Sequence, residues 1–194
     1  MGNPQETLKK GDPQRLYAGH PVPERGGNLE LNPFWVVGFV DGEGCFYVGI
    51  NRNRTMKTGY QVLPEFRIVQ HKRDVQILYA LKKFFGCGVV RKNHEDRYEL
   101  RIRKLSCLKN VVEFFEKYPL KTKKNVDFKK FRKILLLMER SEHLTYEGLL
   151  KILEIAMEMN TGNHERLKET YREIKGKLRG LDEDTVHPQT ERLG

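Results

Sequence analysis

The sequence predicts an α+β fold in which a helix, two strands, a helix, two strands and a helix follow one another, with further helices behind them. Between Pro33 and Lys117 the apolar residues change from helical spacing to alternation and back, twice over. Glycine or proline marks most of these changes. Beyond Lys124 only helical spacing is found.

The first helix opens at Asn32-Pro33, an N-cap residue followed by the residue that favours the first helical position, and runs to about Asp41. Phe34, Trp35, Val36, Val37, Phe39 and Val40 occupy most of its circumference, so it must be buried or paired. Cys45 to Arg54 then alternates, with Phe46, Val48 and Ile50 on one side and Tyr47, Gly49, Asn51 and Asn53 on the other. A turn through Thr58-Gly59 leads into a second strand, Tyr60 to Gln70, where Val62, Phe66 and Ile68 oppose Gln61, Glu65 and Arg67. Pro64, which has no N–H to give a ladder, predicts an edge position or a bulge there.

Helical spacing returns from Asp74 to Phe85 and stops at Gly86. Val89 to Asn93 and Arg97 to Arg103 are the next two strands, the second with Tyr98, Leu100 and Ile102 on its apolar side and three arginines on its polar side. A helix from Leu105 to Lys117 ends before Tyr118-Pro119, and three more follow: Lys124 to Arg140, Thr145 to Met159 and Asn163 to Arg179. Residues 29–180 therefore read as one domain, with its core at about 33–140 and C-terminal helices at 145–179. The proline-containing, polar stretch Met1 to Asn28 reads as a flexible N-terminal arm, and 181–194 as a polar tail.

A chain of 194 residues can bury a core without covalent staples. Its cysteines, Cys45, Cys87 and Cys107, are odd in number and far apart, which argues against a disulfide framework or a zinc knuckle. Nothing approaches the roughly 18 apolar residues of a membrane span, and the first ten residues lack the apolar stretch of a signal peptide. A soluble, intracellular protein without a membrane partner is expected. The net charge of +10 is concentrated: Asn51 to Lys133 holds 23 Lys and Arg against 8 Asp and Glu, and the remainder is net acidic. Such a local field suits a polyanion, whose neutralised phosphates release counterions.

In Val40-Asp41-Gly42-Glu43-Gly44 two carboxylates stand at a helix C-terminus, where the macrodipole is already negative. A divalent cation would reverse that disadvantage, since hard cations accept carboxylate and carbonyl oxygens. A solvated glycine-rich helix stop is the competing reading of these residues.

Val36-Val37-Gly38-Phe39-Val40-Asp41-Gly42-Glu43-Gly44 resembles the nine-residue motif of the LAGLIDADG homing endonucleases, with glycines third and ninth and acids sixth and eighth. The resemblance extends through the helix and strand order from Pro33 to Arg140. It implies an αββαββα core whose four-stranded antiparallel sheet lies as a saddle in the DNA major groove. It also implies metal-dependent double-strand cleavage of a long, near-palindromic target and an intron-encoded origin. One copy of the motif implies a homodimer paired through the motif helix, with Val37, Gly38 and Val40 at the interface.

By the same resemblance Glu43 is the catalytic metal ligand, helped by the carbonyl of Gly42, with Asp41 in support and Mg²⁺, or Mn²⁺ or Ca²⁺ in its place, as the cofactor. Gln70 corresponds to a residue that positions metal-bound water, and Lys123 to a lysine beside the scissile phosphate; Lys121 and Lys124 stand close enough to share that expectation. The outer basic residue has no counterpart in register, where Asp74 stands, and Lys72 and Arg73 precede it. Tyr47, Asn51, Asn53, Gln61, Arg67, Arg91, Asn93, Arg97, Arg101 and Arg103, on the polar strand faces, are the expected DNA contacts, arginine suiting guanine and amides suiting adenine. Arg52 and Arg54 lie on the nominal core side of the first strand but near its tip, where a long side chain could still reach DNA. Two other readings stay open: an intron RNA maturase or non-cleaving DNA-binding regulator of the same fold, and an unrelated basic structural protein.

Overall fold

The structure, a computed structural model, describes residues 29–160 and 164–186, the last six by backbone alone. The expected arm Met1 to Asn28 lies outside the described residues, as do residues 187–194 of the expected tail. The elements are α1 (Pro33–Glu43), β1 (Gly44–Arg52), β2 (Tyr60–His71), α2 (Val75–Phe85), β3 (Val89–His94), β4 (Arg97–Ile102), α3 (Leu105–Lys117), α4 (Lys124–Glu139), α5 (Tyr146–Met157) and α6 (Glu165–Val186). The expected αββαββα order is observed, and its four strands form one antiparallel sheet in the order β1-β2-β4-β3.

Local chemistry accounts for the ends of α1. The Asn32 side chain accepts a hydrogen bond of 2.8 Å from the Phe34 N–H, leaving Pro33 at the position that needs no donor. The helix continues two residues past the expected Asp41 and stops only at Gly44, whose N–H bonds back to the Val40 carbonyl. A Cβ at Gly44 would lie 2.5 Å from Val40 Cγ1 and 2.8 Å from its carbonyl oxygen, so the abrupt change from helix to strand requires glycine there.

In α1 the two faces differ sharply. Val36, Val37 and Val40 are 0%, 5% and 0% exposed, whereas Phe34 and Trp35 are 72% and 42% exposed. Val37 and Val40, expected at a subunit interface, are instead closed inside this chain's own core. Of the three expected interface residues only Gly38 is open, with none of the described residues within 4 Å of where its Cβ would stand. Trp35 stacks on Phe39 one turn along, at 4.8 Å between ring centroids.

The helix-covered side of the sheet is built around Phe46, which touches the rings of Phe66, Phe115, Phe128 and Phe131 at 5.2–5.8 Å. Edge-to-face and tilted packing of this kind adds to the burial of each large ring. Pro64 sits opposite Val48 of β1, while pairing with β4 begins only at Phe66. The central strand is thus one-sided along the stretch that contains its proline, which is how β2 accommodates the missing donor.

The C-terminal helices brace the far end of the β1–β2 hairpin. Glu173 of α6 accepts 2.7 Å from the Tyr60 hydroxyl and pairs with Arg52 at 2.5 Å, and Ile174 beside it is fully buried. Arg52, expected to be placed for DNA, is therefore committed to α6. The helix also runs on to Val186, past the expected end at Arg179, because Gly180 weakens a helix without forcing it to stop.

Burial, followed by the hydrogen bond to Glu173, pushes Tyr60 from 10.0 up to about 12. A tyrosine whose folded pKa is raised stabilises the fold fully below its unfolded value, and that stability is lost as pH rises through the folded value. Alkaline unfolding should accordingly steepen between pH 10 and 12 in the wild-type chain. In Tyr60→Phe the same transition, followed by circular dichroism, should lose that slope, at a cost of about 1 kcal/mol near neutrality from the missing hydrogen bond.

Candidate active site and nucleic-acid interface

The two acids at the end of α1 have different surroundings. Asp41 accepts hydrogen bonds from the N–H groups of Lys121 and Thr122, at 2.7 and 3.2 Å, and from the Thr122 hydroxyl at 2.8 Å. The same hydroxyl oxygen accepts from the Lys124 N–H at 3.2 Å, inside the first turn of α4. The Asp41 carboxylate thus stands at the positive start of α4, which offsets its unfavourable place at the end of α1. Lys124 Nζ donates to the Gly44 carbonyl, where the positive charge suits the negative end of α1.

These bonds divide the three neighbouring lysines. Lys124 is held against α1, Lys121 contributes its backbone N–H to Asp41, and Lys123, at the N-cap of α4, is exposed. Asp41 therefore fastens the segment that carries Lys123 beside the end of α1. Gln70, half-buried, alternates with Phe66 and Ile68 on the helix-covered side of β2. It lies one period beyond Ile68, the residue opposite Gly44. Lys72 is paired with Asp96 at 2.9 Å and Arg73 with Asp74 at 3.3 Å, both at the surface. The Lys72 ammonium holds the Asp96 carboxyl below its usual range.

Glu43 and Gly42 are exposed, and among the described residues Glu43 has no hydrogen-bonding or ionic partner within the chain. No group of three or more His, Cys, Asp or Glu among the described residues is arranged to hold a metal ion by itself. One free carboxylate and one free carbonyl do fit a hard divalent cation that keeps most of its shell for water and phosphate oxygens.

The opposite side of the sheet carries the expected polar row. Arg67 stacks over the Tyr47 ring at 4.8 Å and is paired across the sheet with Arg101. Arg91 and Arg103 reach carboxylates at 2.6 and 2.5 Å, Glu99 and Glu65 respectively. Asn93 and Arg97 are exposed near the β3–β4 turn, where the register shifts between Lys92 and His94. At the other end, Asn53 is bound to Gln61 at 3.3 Å and to Thr55, so it shapes the β1–β2 turn. Asn51 accepts 3.0 Å from Arg166 of α6.

Sequence reasoning passed over Glu65 and Glu99, which are 5% and 2% exposed on this otherwise basic face. Their signal was an acid alternating with arginines two residues away on the same strand: Arg67 beside Glu65, Arg97 and Arg101 beside Glu99.

The site therefore joins an antiparallel sheet with an arginine-rich side to a helix that ends in an exposed acid beside a lysine-bearing loop. Residues 36–135 match the model of the LAGLIDADG endonuclease family, and the chain belongs to that family. It is 85% identical to the homing endonuclease I-TnaI, whose crystal structure superposes with a TM-score of 0.74 over 75% of this chain and 99% of that one. It is 39% identical to I-SmaMI, solved bound to its uncleaved DNA target in the presence of calcium ions, with a TM-score of 0.71 over 74% of this chain but 49% of that one. A probable intron-encoded endonuclease of Neurospora crassa is 36% identical over 147 residues, 74% of this chain and 32% of the relative. The chain spans about a third or less of the length of the first curated relatives that it matches. Among the described residues, no helix is long and apolar enough to cross a membrane.

Proposed function

We propose that this chain is an intron-encoded, site-specific endonuclease that works as a homodimer and makes metal-dependent double-strand breaks in a long, near-palindromic DNA target. The observation that carries the reading is the unpartnered Glu43 at the end of α1, set beside the Lys123 segment that Asp41 fastens. Pairing of two copies is supported by the exposed Phe34, Trp35 and Gly38 side of α1. It is supported also by the match to half of I-SmaMI but to nearly all of I-TnaI.

Glu43 and the Gly42 carbonyl would hold Mg²⁺, or Mn²⁺ or Ca²⁺ in its place. When bound, a divalent cation supplies charge neutralisation at the scissile phosphate and lowers the pKa of an attacking water. Lys123, with no competing partner among the described residues, is available to stabilise the charge that develops on the phosphate. Gln70 would orient a water by hydrogen bonding through its amide. Asp41 acts through the backbone of Lys121 and Thr122, fixing where Lys123 stands.

Tyr47, Arg67, Arg91, Asn93, Arg97, Arg101 and Arg103 form the surface offered to the major groove, with Asn51, Asn53 and Gln61 toward its outer end. The test is cleavage of a randomised double-stranded DNA library with Mg²⁺ and with chelator. Cuts at one enriched, near-palindromic sequence that vanish with chelator are expected. Specific binding without any cut would leave a DNA-binding regulator of the same fold.

A further inference from the structure

On a surface meant only to hold phosphates, acids are a disadvantage, because each one subtracts from the field that attracts the polyanion. Yet Glu65 and Glu99 lie buried within the arginine-rich side of the sheet. They alternate with the arginines: Arg91 Nε donates to Glu99 Oε1 at 2.6 Å, Arg101 Nε stands 4.0 Å from the same oxygen, and Arg103 binds Glu65 Oε1. The second oxygen of Glu65 has no hydrogen-bond partner among the described residues. Burying a carboxylate is costly unless it is paired and hydrogen-bonded, and what pairs with these two is guanidinium groups, which are thereby held in place.

The atoms used matter. Arg91 and Arg101 meet Glu99 through Nε, which keeps both terminal nitrogens free as a fork that matches O6 and N7 of guanine, whereas Arg103 binds Glu65 through Nη2 and keeps Nη1 free. Arg91 and Arg103 keep about half of their side-chain surface open, at 46% each, while Arg101 between them is 20% open. Burial, then the neighbouring Arg103 and Arg91, shifts Arg101 below its usual pKa, as expected of a cation held inside a row of like charges.

We infer that Glu65 and Glu99 are positioning residues for base recognition: they fix Arg91, Arg101 and Arg103 as a row that reads guanine, so each half-site carries guanines where it faces β3 and β4. The inference rests on the reading of the chain as a DNA endonuclease. It adds which bases that endonuclease prefers, and why two acids sit in a surface that must attract DNA.

The test is a binding selection on the double-stranded DNA library, followed by base-by-base competition on the selected target, for the wild-type, Glu99→Gln and Glu65→Gln proteins. The wild type should enrich guanine at these half-site positions, by about 5- to 150-fold per position, the range one bidentate contact supplies. In Glu99→Gln, discrimination facing Arg91 and Arg101 should fall at least about fivefold, while affinity for unrelated DNA is kept or rises because a negative charge is gone. Glu65→Gln should act at the position facing Arg103 instead.

A merely structural role would weaken specific and non-specific binding together, and that pattern would overturn the inference. If Glu99→Gln does not fold, Arg91→Lys, at an open position, should lose guanine at the same place while keeping its charge. Target selection and cleavage with no guanine preference, or with preference unchanged in both glutamine variants, would overturn the inference and leave the endonuclease reading standing. A wild type that neither selects nor cuts DNA would overturn both.

Discussion

Glu43→Gln is expected to abolish double-strand cleavage while leaving folding and target binding intact. The side chain is exposed and has no partner among the described residues, so replacing it with an amide of the same shape breaks nothing that holds the fold. What is lost is the one free negative charge at the end of α1. Electrostatic assistance from a bound cation is worth several kcal/mol in a transition state, and each 1.4 kcal/mol is about tenfold in rate, so cleavage should fall by about 10³-fold or more. Single-turnover cleavage of a fixed target, beside a gel-shift measurement with Ca²⁺, separates the two effects. Cleavage within tenfold of wild type would remove Glu43 from the proposed role. The same experiment on Asp41 has no such clean reading, because Asp41 is bonded to the α3–α4 segment and its loss disturbs the scaffold.

That contrast also shows where the sequence was legible. The order of elements could be read because each carries a local signal: Asn32-Pro33 opens α1, Gly86 in left-handed conformation closes α2, and alternation marks the strands. The end of α1 could be read as a place for chemistry. The different surroundings of its two acids could not be read from composition alone, since the donors to Asp41 come from about 80 residues downstream.

Orientation was less legible still. A helix apolar around most of its circumference does not reveal which side goes inward, so Val37 and Val40 were expected at an interface, whereas it is Phe34 and Trp35 that stand open. Glu65 and Glu99 share the polar side of their strands with the arginines and so looked solvated. Only the cross-strand register, which sets Arg91 opposite Glu99 and Tyr47 opposite Glu65, shows that neighbouring side chains close over them.

The second large effect follows from the open side of α1 and carries opposite signs in one substitution. Gly38 lies inside a helix with none of the described residues within 4 Å of a Cβ, so Gly38→Ala should stabilise the monomeric fold by up to about 1 kcal/mol through helix propensity. If two α1 helices meet at that glycine, the added methyl appears twice across a two-fold axis. Overpacking of a close contact costs about 1–3 kcal/mol, so the dimer should weaken at least tenfold, more so for Gly38→Leu. Double-strand cleavage should fall with it, because in the proposed dimer each strand is served by its own Glu43. Sedimentation over a range of concentrations reads association, and denaturant unfolding of the dilute protein reads the fold. Val37→Ala is the control: that side chain is 5% exposed within its own chain, so it should lower fold stability through a cavity and leave association nearly unchanged. If Gly38→Leu remained as strongly associated as wild type, the open side of α1 would not be the surface through which two copies meet.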